Sequence, residues 1–435
     1  MWLKFGFTVI CSLLSLSLSL FAAPFSHTLT AESAILINAD TGKILFAKNA
    51  HQPQYPASIT KMATGLYAIK YFSHLLDKSY KCSQKALGCL TEAEKSKGNY
   101  SKYPSYVLET DMTHMGLKVG EEMSFRDLLL GHFIVSADDA SNVIAEIAGN
   151  GSIEHFMKGV NSYLASIGLK NTKLLNPHGL HHPEHVTTAL DVALLAREAM
   201  KDPLFAEISK MVKFERPQTN KQKPVTLLTT NKFLVKTHRH YYPFVTGGKT
   251  GYHRRARHNL VSAAEKNGRK LIAVTLHVDE RANVFEESKR LFEAAFAEKL
   301  VTSTLVSSGK QPFSREIAGG TLPLTTYTQE PLALAFYPSE QPEMRCQLVW
   351  DSITLPVQKG DRVGYLQLLA DGVPVKLTAL FAAADVEMSF FHALYRQCSA
   401  LIAHPASWIA LGALFLAVVY FKVARRKNPK PRFSK

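Results

Sequence analysis

Charged residues make up only 20% of the 435 positions, and the chain has no internal repeats. With 46% hydrophobic residues this is ordinary globular composition, which excludes disordered, collagen-like and coiled-coil chains. The length allows two or three domains. Cysteine is scarce, with five in all. Cys11 and Cys398 lie in apolar runs at the two ends. Cys82 and Cys89 have six residues between them and are spaced for a disulfide in an exported region, or for half of a metal clip that nothing nearby completes. Acidic residues are missing altogether from positions 422–435, which hold seven basic ones. With those seven and Lys4 set aside, the formal charge of +15 falls to +7. The nucleic-acid reading that a strongly basic chain invites therefore loses about half its support to the ends.

The ends read as targeting devices. Lys4, an apolar run over 5–21, and Ala22-Ala23-Pro24 are the parts of a secretory signal over 1–23. Phe21 stands where a small residue is expected, so cleavage should be inefficient or displaced. At the other end, 398–421 is apolar apart from His404 and a few small polar residues, and roughly 20 apolar residues span a bilayer. The unbroken part, 406–421, is shorter than that, so a span needs the stretch before Pro405 as well. The basic tail over 422–435 would be its cytoplasmic flank. The expectation is a single-pass protein of the cytoplasmic membrane with an extracytoplasmic body.

Within the body, two strands flank Asp40-Thr41-Gly42, and a helix should run from near Ser58 toward Tyr71. Residues 73–115 look like a polar, irregular insertion. Helical patterns cover 125–148, 153–167, 188–200 and 282–299, with a turn at 176–180 and a strand at 270–277. From about 303, Gly319-Gly320, Pro323, Pro331, Pro338 and Pro342 separate short β-type runs, so 303–382 reads as a small β domain.

Three short motifs carry chemistry. Ser58 and Lys61 are three residues apart, so at the head of a helix they share one face. A serine hydroxyl needs a nearby base, and a lysine serves if burial or a second cation depresses its pKa. Ser136-Ala137-Asp138 sits between two apolar helical runs. Lys249-Thr250-Gly251 precedes a strand-like Asn259-Leu260-Val261. Each motif alone is weak, with a surface pair, a helix cap and a turn as the plain readings. Together, in this order, they match the S-x-x-K, S-D-N and K-T-G trio of serine β-lactamases and penicillin-binding proteins.

From about 32 to 380 the chain resembles the serine-type D-alanyl-D-alanine carboxypeptidases, the low-molecular-mass penicillin-binding proteins. Pro56-Ala57-Ser58-Ile59-Thr60-Lys61, Asn176-Pro177-His178-Gly179-Leu180 and Gly247-Gly248-Lys249-Thr250-Gly251 are the segments that carry the resemblance most clearly. It implies an α+β, β-lactamase/transpeptidase-like catalytic domain over 28–300, the small C-terminal β domain and the transmembrane anchor. It also implies removal of the terminal D-Ala from peptidoglycan stem peptides through an acyl-enzyme on Ser58, with β-lactams as inhibitors and with no cofactor or metal. Lys61 would be the base, Ser136 the relay to the leaving amine, and Lys249 the second cation. Asp138, Thr250, Gly251 and Tyr252 would bind substrate, with the Ser58 and Tyr252 amides as the oxyanion hole.

Three departures from the family pattern stand out. Asp138 occupies a position where the family usually has Asn. An acid there can pair with Lys61 and lacks an amide donor. His253 and Arg257 replace a Thr and a Gly, and with Arg254 and Arg255 they should make the rim strongly basic. The 73–115 segment is longer than usual. Among rivals, a β-lactamase would need a Glu-x-x-Leu-Asn segment that is missing. A zinc peptidase could draw on His178, His181, His182, His185 and Glu184, but there is no His-Glu-x-x-His helix. A catalytically weak binding protein of the same fold finds its support in Asp138.

Overall fold

The computed structural model describes residues 28–403 and 405–427. The signal-type segment over 1–23 and the end of the basic tail, 428–435, lie outside the described residues. The chain divides into two compact units. One runs to residue 299 and includes 337–340; the other holds 300–336 and continues from 341.

The first unit is built on a five-stranded antiparallel sheet. Its strands are β1 (Ser33–Asn38), β2 (Ile44–Lys48), β3 (Val245–His253), β4 (Arg257–Lys266) and β5 (Arg269–Val278), in the order β2-β1-β5-β4-β3. Side chains alternate across a strand, so both faces of the sheet can be apolar only if both are covered. Ile35 and Ile37 join Val261, Ile272 and Val274 in one core. Ala34 and Leu36 join Leu260, Leu271 and Ala273 in the other. This two-sided burial is why β1 reads as a continuous apolar run. The turn to β2 is held by Asn38, whose Oδ1 accepts from Asp40 N and Thr41 N at 2.8 and 2.9 Å.

Six helices feed the first core: α1 (Thr60–Phe72), α2 (Phe125–Ile134), α3 (Asp138–Ala148), α4 (Ile153–Ser166), α5 (Ala189–Ala199) and α6 (Pro203–Ser209). Helix α7 (Arg281–Phe296) covers the opposite face with Val284, Phe285, Leu291 and Phe292. Ser124, Ser152, Thr188 and Asp202 cap α2, α4, α5 and α6 by accepting a backbone N–H three residues on. The helical run over 125–148 is split into α2 and α3, and Ser136 stands at the split with φ +66°.

The 73–115 segment has more structure than its polar composition suggests. It forms a strand at Ser79–Lys81 and short helices at Gln84–Leu87 and Glu92–Lys97, the second opened by a Thr91–Glu94 capping box. Buried Lys95 pairs with Glu109 at 2.7 Å. Cys82 and Cys89 are free thiols, so the disulfide expected from their spacing does not form. Cys82 is buried and Cys89 is exposed, with the short helix Gln84–Leu87 between them in the chain.

The second unit is a five-stranded antiparallel sheet ordered Gly309–Arg315, Leu324–Thr328, Val373–Ala382, Arg362–Ala370, Met344–Trp350. Leu324, Leu332, Leu348, Val363, Leu366 and Leu380 fill its core. Helices Phe390–Ala403 and Pro405–Lys427 follow. The span expected over 398–421 is not found. Among the described residues no helix is long and apolar enough to cross a membrane. Helix Pro405–Lys427 carries the apolar stretch 406–421, which covers only about 24 Å of an apolar layer roughly 30 Å thick.

Phe133 on α2 stands against Gly65 of α1 and meets Phe205 of α6 edge-on, with ring centroids 4.9 Å apart. Phe133→Ala should cost about 3–5 kcal/mol. Urea denaturation measures this, and an unchanged midpoint would contradict the packing.

Candidate active site

Ser58 lies in a short 3-10 turn, Ala57–Ile59, immediately ahead of α1, rather than in the helix itself. The geometry still puts its Oγ 3.1 Å from Lys61 Nζ. Lys61 has no exposed surface. Its amine donates to three oxygens: Ser58 Oγ, Asp138 Oδ1 at 2.5 Å and the His178 carbonyl at 2.8 Å. The Lys61 carbonyl accepts from His132 Nε2 at 2.8 Å, and His132 Nδ1 meets Ser141 Oγ, tying α1 to α2 and α3.

The carbonyl of His178 is aimed by its own loop. Asn176 accepts from Gly179 N at 2.7 Å and donates to Leu180 O at 2.9 Å. Thr64 Oγ1 donates to Pro177 O at 2.7 Å, and Thr60 Oγ1 meets His185 Nε2 at 2.8 Å. Gly179 has φ +98°, and a Cβ there would stand 1.9 Å from Ala57 O. Only glycine lets the loop pass that close to the Ser58 turn.

On the other side, Lys249 Nζ donates to Ser136 Oγ at 2.8 Å and to Thr250 O at 3.0 Å. Strand β3 is an edge strand and runs along the Ser58 turn, where a Cβ on Gly251 would meet Pro56 O at 2.8 Å. Asn259 fastens the same turn by donating to Tyr55 O and Pro56 O, at 2.8 and 3.1 Å. Thr250 Oγ1 meets Thr230 Oγ1 at 2.7 Å. Tyr252 is exposed and stacks on His258, with ring centroids 4.3 Å apart. Ser58, Ser136, Thr250, Gly251, Tyr252 and Arg281 line one cleft of about 320 Å³. Lys61 and Lys249 are buried beside the serines they contact, and Asp138 is buried against Lys61.

Burial dominates the electrostatics. It lowers the Lys61 amine below its ordinary value against the opposing pull of Asp138. Lys249 falls well below the usual range through burial and the nearness of Lys61. Asp138 is pushed up to about 6, again mainly by burial. The two lysines and the aspartate are thus each driven toward their neutral forms.

Several residues that the sequence did not single out belong here. His132 and Asn259 position the serine and lysine; His132 interrupts the apolar run 128–135, which was a readable signal, whereas Asn259 follows Arg257-His258 and carries none. Arg281 lines the cleft without any such signal. Thr113 brings the 73–115 segment to the cleft wall, and its carbonyl accepts from Asp138 N at 2.8 Å. The rim is less basic than expected. Arg255 faces Glu92 at 3.9 Å and Arg257 faces Asp279 at 3.5 Å. The histidine cluster serves the loop. His178 Nδ1 accepts from Leu180 N and His185 Nδ1 from Leu175 N, and Glu184 pairs with Lys173. Among the described residues no group of three His, Cys, Asp or Glu converges on a metal position.

A model of the D-alanyl-D-alanine carboxypeptidase family matches residues 21–280. The chain is 31% identical over 379 residues to the D-alanyl-D-alanine carboxypeptidase DacF of Bacillus subtilis, covering 83% of this chain and 87% of that one. It is 29% identical to DacA of Haemophilus influenzae, covering 82% and 86%. Among solved structures it is similar to penicillin binding protein 5 from Haemophilus influenzae, with a TM-score of 0.55 and 26% identity over 83% of this chain and 98% of that one. The carboxypeptidase DacD from Francisella tularensis shares the fold, with a TM-score of 0.56 over 84% and 96% at 22% identity.

Gly179→Ala should push the His178 carbonyl and the Ser58 turn apart and lower kcat/KM by about 10²-fold. Circular dichroism should stay native. Full activity in a folded variant would contradict the role given to this close approach.

Proposed function

The chain belongs to the D-alanyl-D-alanine carboxypeptidase family, and on that premise we propose how its residues divide the work. The reaction is that of a serine-type D-Ala-D-Ala carboxypeptidase with a penicillin-binding fold. Its substrates are peptidoglycan stem peptides, and β-lactams bind the same cleft. The observation that carries the assignment of roles is the Lys61 amine 3.1 Å from Ser58 Oγ, with the Lys249–Ser136 pair across one cleft.

Ser58 Oγ attacks the carbonyl between the two terminal D-alanines, and its proton passes to Lys61. The backbone N–H groups of Ser58 and Tyr252 hold the developing oxyanion; in other enzymes one such donor is worth ~10²–10³ in turnover. Ser136, bonded to Lys249, hands a proton to the leaving D-Ala nitrogen as the C–N bond breaks. Water then releases the acyl chain from Ser58. Thr250, Lys249 and Arg281 give the substrate's terminal carboxylate a hydroxyl and two basic groups to meet.

Mass spectrometry of the penicillin-treated protein should find one adduct, on Ser58, and none on Ser58→Ala. An adduct retained by Ser58→Ala would overturn this assignment. Label without release of D-Ala from a D-Ala-D-Ala peptide would favour the weak-binder alternative.

We further propose that residues 1–23 direct export and that the C-terminal helices hold the enzyme on the outer side of the cytoplasmic membrane. Exposed Phe390, Phe391, Tyr395, Trp408, Ile409 and Phe421 support this, as does the basic run that follows. Ending the chain at residue 388 should move it from the membrane pellet to the soluble fraction with penicillin labelling intact. Retention in the pellet would refute the anchor.

A further inference from the structure

Asp138 sits at the head of α3, two residues beyond Ser136, and is 3% exposed. Its Oδ1 is held by Lys61 Nζ at 2.5 Å, whereas Oδ2 has no hydrogen-bond partner among the described residues. Its neighbour Asp139 is different. That carboxylate accepts from Met115 N, Leu117 N and Ala140 N at 3.2, 2.9 and 2.8 Å. Three backbone donors suit an anion, so Asp139 has the surroundings of a structural carboxylate and Asp138 does not. The charged or titratable groups around Asp138 are Lys61 from α1, Lys249 from β3 and Asp139 on its own helix. His132 and His178 stand behind Lys61.

Hydrogen-bond counting sets a condition on the reaction. As an ammonium, Lys61 has three N–H donors and three acceptors, one of them Ser58 Oγ. In that state it cannot take the serine proton. As an amine it has two N–H donors, for His178 O and Asp138 Oδ1, and one lone pair, for the Ser58 hydroxyl. The proton it gives up needs a place, and Asp138 Oδ2 is an unpartnered oxygen in the same side chain.

We propose that Asp138 works as a carboxylic acid. It shares one proton with Lys61, so that the transfer which frees the lysine amine also gives Asp138 an O–H donor for a carbonyl of the bound peptide. The proposal rests on the acyl-enzyme reading above. The step balances. One proton crosses the Lys61 Nζ–Asp138 Oδ1 contact to the carboxylate, and a half-turn of the carboxyl group carries it to the position of Oδ2. The Ser58 proton then moves to Lys61 as the Oγ–C bond forms. As the C–N bond breaks, Ser136 gives its hydroxyl proton to the leaving nitrogen and is refilled with the proton that Lys61 took, so Lys61 is an amine again before water attacks. Asp138 is then the acid counterpart of an asparagine, with its Oδ1 accepting from Lys61 and its Oδ2–H donating to substrate. Burial favours the neutral form of both partners, in agreement with this assignment.

The pair is active only while it holds one shared proton. A second proton at low pH makes Lys61 an ammonium and removes the base. Loss of the shared proton at high pH leaves Asp138 a carboxylate and removes the donor. The test is the pH profile of acylation of the full chain by a fluorescent penicillin, with kcat/KM for a D-Ala-D-Ala peptide beside it. Wild type should fall on both sides. Asp138→Asn supplies a permanent N–H donor, so its alkaline limb should move up by at least about one pH unit. Asp138→Glu keeps a sharable proton and should keep the limb. Asp138→Ala should acylate about 10²-fold more slowly at every pH, and Asn should rescue that loss. An Asp138→Asn profile that overlays wild type would overturn the proposal while leaving the acyl-enzyme intact. Loss of that enzyme reading shows separately, as label retained by Ser58→Ala.

Discussion

Much of the first unit is arranged around one buried amine. Lys61 has no exposed surface, and an unpaired ammonium in such a place is prohibitively costly. Three acceptors come to it from three separate parts of the chain: Ser58 from the turn before α1, Asp138 from the head of α3 and His178 from the 176–180 loop. Each must be held rigidly, and each is. Asn259 and the close pass of Gly251 hold the Ser58 turn, Thr113 holds Asp138, and Asn176 with Gly179 holds the loop. His132 fixes the backbone of Lys61 itself.

A second lysine close by adds to that constraint. Lys249 is also buried and meets Ser136. Two amines and one carboxylate in a low-dielectric site oppose full ionisation, which is the condition under which a lysine becomes a useful base. The positive groups that remain in water are spread along the rim, where Arg255 and Arg257 face acids and Arg281 opens onto the cleft. An anionic peptide therefore meets charge at the entrance and near-neutral chemistry at the centre.

The elements that were legible in the sequence share one property: their signal is local. The two strands around Asp40-Thr41-Gly42, the helical patterns over 153–167 and 188–200, and the Ser58/Lys61 spacing all depend on a few consecutive residues. The 73–115 segment was harder to read. Its helices are short, and what holds them is a buried Lys95–Glu109 pair fourteen residues apart in sequence. The Cys82/Cys89 spacing suggested a bridge, but spacing carries no information about which side chain turns inward. The C-terminal apolar run was visible, and so was its weakness, since the unbroken part, 406–421, is shorter than a bilayer span.

The order of the chemical motifs and the small β-rich second unit could be read along the chain, because periodicity and motif spacing are properties of neighbours. Folding was needed to turn the possible Asp138–Lys61 pair into a buried contact, to bring the His178 carbonyl rather than its imidazole to the site, and to place Arg281 on the cleft. Those are meetings between residues tens to hundreds of positions apart. Packing, and the need to satisfy every polar group it buries, selects them.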